Sequence, residues 1–212
     1  MFEFIADLDN YFCEKYANYD KLCVLEGYKM PKMQTTKVRE DGRTYAYTLP
    51  SNTMRLANQE KKAEILVLLK EKITDKTFSF SFKPLDFFSR IPNKYAKKGF
   101  VKNLKATLAK YNLPEIEAGE SLGIDPAIWK NIYKGNYLPT KNLLFSLALT
   151  AHMGMEDLQA LMQICGYKLD YAIVKDVVVS YLIEQKIFNS SMVAAALKEY
   201  KVENLFIKEI EE

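Results

Sequence analysis

The chain has 212 residues, 49% of them hydrophobic and 13% aromatic, enough apolar material for one large folded domain or two small ones without disulfide or metal staples. Its longest uncharged apolar stretch, residues 143–155, includes Ser146, Thr150 and His152 and falls short of the roughly 20 residues that cross a bilayer. No membrane span is expected. The N-terminal residues Glu3, Asp7 and Asp9 are acidic where a secretory signal starts basic, so the expected location is cytoplasmic. The net charge of +3 hides an asymmetry: residues 31–112 carry 18 basic and 7 acidic side chains, whereas residues 113–212 carry 9 basic and 14 acidic. Attraction to an anionic partner must therefore come mainly from the middle of the chain.

In chain order, Phe2, Ile5, Leu8, Phe12 and Tyr16 recur at spacings of three and four, the apolar face of a helix that docks on a core. Asp41-Gly42 stands between β-prone residues and predicts a hairpin over residues 37–48. After Pro50, with Ser51 or Asn52 as a cap, residues 54–73 read as a long helix with Leu56, Ala63, Leu66 and Leu69 turned inward. Phe78, Phe80 and Phe82 alternate at period two, as in a covered strand stopped by Pro84. Residues 85–111 return to helical spacing, interrupted by Pro92 and Gly99, and carry Lys94, Lys97, Lys98, Lys102, Lys105 and Lys110. The division expected from this pattern is an α+β N-terminal region, residues 1–98, and an all-α domain, residues 99–212.

The most informative segment begins at residue 113. Two helices that cross at a tight turn need a small residue at the crossing, a glycine at the left-handed turn and apolar residues that lock the second helix onto the first. Gly119 fits the crossing, Gly123 the turn, and Ile124, Trp129 and Ile132 the lock. Asp125 before Pro126 marks a helix start twice, as a capping carboxylate and as a proline at the first helical position. Gly135 and Thr140 end that helix and cap the next. Leu143, Leu144, Leu147 and Ala148 form a further apolar helix, residues 154–162 another, and helices near residues 170–186 and 190–201 follow.

This order, with SLGID, IYKGNYLPT and LALTAHMGMEDLQALM in sequence, resembles the lambda-repressor-like (XRE/Cro) helix-turn-helix family over about residues 102–166. The resemblance implies a five-helix repressor-like bundle; with the two helices that follow it and the smaller α+β N-terminal region read from the pattern above, the expected fold is mainly α. DNA-binding members often start the first helix of the motif with a phosphate-contacting glutamine. Glu115 stands at that position here, and Asp125, Pro126, Ala127 and Ile128 stand where bases are read. Of the polar residues on the second helix, Lys130 and Asn131 suit base edges.

Two functions follow. The first is a non-enzymatic regulator of bacterial or mobile-element type, with Lys130 and Asn131 approaching DNA grooves, Lys94, Lys97, Lys98, Lys102 and Lys105 on phosphates, and Lys134 as a further nucleic-acid contact. The second is an adaptor whose helix-turn-helix scaffold binds a protein partner through the C-terminal helical half. No phosphate-cradling, zinc-protease or hydrolase motif is present, so neither an enzyme activity nor a cofactor is expected. Cys13, Cys23 and Cys165 read as core thiols. The single histidine, His152, reads as the flank of an apolar helix, and the carboxylate pairs Asp7/Asp9 and Glu156/Asp157 read as helix-terminal charges.

Overall fold

The computed structural model describes residues 2–17, 34–38, 42–48, 66–67, 70–71, 90–202 and 205; for 2, 34–35, 47–48 and 90–98 it describes the backbone only. Among the described residues the chain is mainly helical with one two-stranded hairpin, and it divides into two compact units, Phe2–Ile73 and Thr74–Glu212. No helix among them is long and apolar enough to cross a membrane.

In the first unit, helix α1 (Phe2–Lys15) buries Phe4, Leu8, Phe12, Cys13 and Tyr16. Leu8, Phe12 and Tyr16 are buried as expected; Phe4 and Cys13 join that face, and Ile5 is half-buried. Strands β1 (Gln34–Val38) and β2 (Thr44–Thr48) pair antiparallel with Lys37 opposite Tyr45 and Val38 opposite Thr44. Gly42, at φ +80°, supplies the left-handed backbone of the connection. Within the helix expected over residues 54–73, Leu66, Val67, Lys70 and Glu71 are helical, and Lys70 bonds Asp9 of α1 at 2.9 Å. The remainder of that helix, the Phe78/Phe80/Phe82 strand and Cys23 lie outside the described residues.

The second unit begins with α2 (Arg90–Lys110). The boundary expected at 98/99 falls inside this helix, and the compact units divide at 73/74. Pro92 does not break the helix because it stands in the first turn, whose N–H groups have no intrahelical acceptor. Gly99, half-buried in mid-helix, lowers helix propensity without ending the helix. Six helices follow: α3 (Glu115–Ser121), α4 (Pro126–Tyr133), α5 (Lys141–Thr150), α6 (Met155–Ile164), α7 (Val174–Glu184) and α8 (Ser190–Glu199).

Helix α5 is central. It packs on α3, α6 and α7, while α6 packs also on α2, α4 on α2, and α8 on α7. Every residue from Asn142 to Leu149 and from Lys175 to Ile183 is buried, which accounts for the weak amphipathic pattern of α5 and α7: a helix covered on all sides needs no polar face. Several of their polar residues are joined to one another, whereas the buried Ser180 hydroxyl has no partner among the described residues. Lys141 pairs with Asp176, whose carboxylate also accepts the Asp170 N–H at 2.7 Å. Lys175 donates to Asn142 Oδ1 at 3.3 Å, and Ser146 to the Asn142 carbonyl at 3.0 Å.

Several helices end in the same way. Asn112, His152, Lys186 and Lys201 take φ between 51° and 56°. The N–H of the residue after each bonds a carbonyl five positions back, as in Met153 to Ala148 at 2.8 Å and Ile187 to Leu182 at 2.8 Å. That closure satisfies carbonyls left over at a helix C-terminus.

Candidate functional site

Residues 113–135, where the sequence pattern converges, form α3, a turn and α4. The crossing is as tight as the expectation required. A Cβ on Gly119 would lie 2.6 Å from Trp129 Cδ1, so only glycine lets the indole lie against α3. The Trp129 ring N–H donates to the Glu115 carbonyl at 2.7 Å, fixing the ring across the first turn of α3. Gly123 turns the chain at φ +62°. Asp125 Oδ1 then accepts the N–H groups of Ala127 and Ile128 at 2.8 and 3.2 Å, capping α4 ahead of Pro126. Trp129 and Ile132 are buried, Ile124 is half-buried, and Gly135 closes the C-terminus at φ +72°.

The expected nucleic-acid contacts are divided by this geometry. Lys102, Lys105, Lys130 and Lys134 are exposed. Ala127, Lys130 and Lys134 share one exposed face of α4, and Lys105 Nζ sits 4.7 Å from the centre of the Tyr133 ring, a cation held against an aromatic face. Asn131 is employed internally: its Nδ2 donates to the Ala127 carbonyl at 2.9 Å, and its Oδ1 accepts from Asn136 at 3.0 Å. An amide tied at both ends does not present the donor and acceptor pair that reads adenine. Lys94, Lys97 and Lys98 lie on the backbone of α2, with side chains outside the described residues.

A cleft of about 220 Å³ lies between α3 and α4, lined by Glu115, Ile116, Gly119, Glu120, Ile124, Pro126, Trp129 and Lys130. Sequence reasoning missed it, although a signal was present. Ala118 and Leu122 mark the inward stripe of α3, and Ile116, two positions before Ala118, falls on the opposite side of the helix. Ile116 is 72% exposed. Helix α3 carries Glu115, Glu117 and Glu120 and no basic residue. The carboxylates of Glu115 and Glu120 make no ion pair or hydrogen bond among the described residues. Burial, followed by the Glu115 charge, raises the Tyr133 phenol above its ordinary pKa.

A wider groove of about 740 Å³ lies where the C-terminal end of α2 meets the N-terminus of α6 and the segment after α7. Its polar groups are largely tied to each other. Asp157 accepts from Lys110 at 2.7 Å and from the Tyr111 hydroxyl at 2.5 Å, and that hydroxyl accepts the Gly154 N–H at 2.8 Å. Lys110 and Tyr111 together hold the Asp157 carboxyl below the usual carboxylate range. Burial, then the bond to Asp157, raises Tyr111. His152 is exposed and stacks on Phe188, ring centres 4.7 Å apart; it flanks α5 as expected, in the left-handed position that ends the helix.

Among the described residues no group of three or more His, Cys, Asp or Glu side chains forms a metal-holding cluster. Cys13 is buried and Cys165 half-buried, both as free thiols; burial pushes the Cys165 thiol up to about 12, far from the thiolate that acts as a nucleophile. No protein-family model, curated protein or solved structure matches the chain.

Proposed function

We propose that this protein is a non-enzymatic regulator in which a repressor-like helix-turn-helix scaffold, α3 to α6 with α2 packed on it, serves as a docking surface for another protein. The observation that carries this reading is the α3–α4 cleft: an apolar floor at Trp129, an exposed Ile116 at its lip, and acidic residues on α3. A unit built to lie along a phosphate backbone places cations or neutral donors there, because carboxylates are repelled. The internal bonds of Asn131 and the self-capping of Asp125 remove two further groups from base readout. An exposed apolar side chain beside a cleft is instead what an interface core offers.

The test is site-specific photo-crosslinking of the full chain in cells, with the reactive group at position 116 and, separately, at 130 and 134. The proposal expects protein adducts at 116 and no nucleic-acid adducts at 130 or 134. A second reading, binding to a nucleic-acid backbone, is favoured by the exposed Lys102, Lys105, Lys130 and Lys134. It predicts a duplex-DNA affinity that falls steeply with salt, with a shallower slope after Lys130→Ala and Lys134→Ala. Such salt-dependent binding, together with nucleic-acid adducts at 130 or 134, would displace the docking proposal.

A further inference from the structure

Resting on that docking reading, we infer that the α3–α4 cleft receives one apolar side chain from a partner segment that carries lysine or arginine on both sides of it. The cleft volume, about 220 Å³, lies below the roughly 300–1,000 Å³ of small-molecule pockets, which favours a single side chain over a cofactor-sized ligand. Ile116, Ile124, Pro126 and Trp129 give the lining its apolar surface, with the buried indole held against Gly119, which has no side chain to displace it. An anchor seated in such a depression is the usual centre of an interface.

Charge sets the flanks. Glu115 and Glu120 line the cleft together with Ile116, while Lys130 is the single cation of the lining. Glu115 lies in the first turn of its helix, where the helix dipole favours a carboxylate. Glu120 has no such support: it lies one residue before the end of α3, where the dipole opposes a negative charge. It is exposed and makes no ion pair among the described residues, not even with Lys130 across the cleft. A cationic flank would relieve that position, and the same field would repel acidic segments.

The single tryptophan of the chain forms the floor of the cleft, so its emission reports occupancy in the intact protein. Three synthetic nonapeptides serve as probes: a central leucine flanked by lysines, the same leucine flanked by glutamates, and a central serine flanked by lysines. The lysine–leucine peptide is expected to change Trp129 emission saturably. The Glu115→Gln, Glu120→Gln double variant should weaken its binding by roughly three- to tenfold, as should raised salt, the range for two exposed charge pairs. The serine peptide should bind at least tenfold more weakly, since the anchor carries most of the energy. Far-UV circular dichroism checks that the double variant keeps its helices. Equal binding of the glutamate-flanked peptide overturns the charge assignment and leaves the docking reading standing. Equal binding of the serine peptide overturns the anchor. Failure of all three peptides while protein adducts persist at position 116 overturns this inference alone; loss of those adducts as well overturns the docking proposal beneath it.

Discussion

Two sets of polar and charged residues in the unit Thr74–Glu212 are used in opposite ways. Between α5 and α7, Lys141, Asn142, Lys175 and Asp176 are joined by hydrogen bonds and an ion pair, with the Asp176 side chain 2% exposed. On α3, Glu115 and Glu120 stand at the rim of an open cleft with no partner among the described residues. The first set orients two buried helices, since a buried polar group must be satisfied where it lies. The second contributes little to folding and remains available for a partner. Position relative to the core, rather than residue type, separates a charge tied into the packing from one left at the surface.

The sharpest way to break the comparison is Asp176→Ala. It strands Lys141 and the Asp170 N–H, and should cost about 3 kcal/mol in urea unfolding, the scale for removing one partner of a buried pair. A cost under 1 kcal/mol would show that the buried set is dispensable. Next comes Gly119→Ala, whose new Cβ meets Trp129 at 2.6 Å. The expected loss is about 2 kcal/mol, the usual scale of overpacking, with a red-shifted Trp129 emission as the indole is displaced.

The two aspartates should respond to pH with opposite signs. Asp157 is held below its ordinary pKa, so the unfolded chain binds its proton first as pH falls. Its stabilisation is complete above the ordinary carboxylate range and is lost as pH drops through the depressed native value. Wild type should therefore exceed Asp157→Asn by about 1 kcal/mol near neutrality, with the gap closing in acid. Asp176 is raised, because burial outweighs the bonds from Lys141 and Asp170. Between its ordinary and raised values the native state holds the proton more tightly, so this group's contribution falls as pH rises. Thermal unfolding from pH 3 to 7 on the wild type and each Asp→Asn variant reads both signs.

The smallest expected effect on folding belongs to the cleft. Ile116→Ser should change stability by no more than about 0.5 kcal/mol, as for surface positions in general, while abolishing anchoring of the lysine–leucine peptide. A large loss of stability would move Ile116 into the folding core and remove the contrast.

Much of the architecture was legible because it depends on neighbours in sequence. Asp125-Pro126 announced the start of α4, Gly123 and Gly135 the turns on either side of it, and Asp41-Gly42 the hairpin. The two helices after residue 170 were anticipated with ends displaced by a few residues. Gly99 misled, because a glycine lowers helix propensity by about 1 kcal/mol without ending a helix that packs on α4 and α6. The α1 face was legible at Leu8, Phe12 and Tyr16; Phe4 and Ile5 are both apolar, and only the surroundings decide which is covered more fully. At the candidate site the scaffold residues were readable but the use of Asn131 was not, since its partners Ala127 and Asn136 flank it on either side of a helix end whose closure sets their distance.

The sequence by itself determined the start of α4 and the turns on either side of it, because caps, prolines and turn glycines act within a few residues of backbone. It also determined that basic charge gathers in the middle of the chain and acidic charge beyond residue 113. Tertiary structure alone decided that Lys175 and Asp176 go inside while Glu120 stays out, that the Trp129 indole packs against Gly119, and that Ile116 is left in the open. Burial is a property of what other elements place against a side chain. The same isoleucine or carboxylate can complete a core or form the rim of a cleft, and the packing of α3 and α4 on α2 and α5 selects between the two.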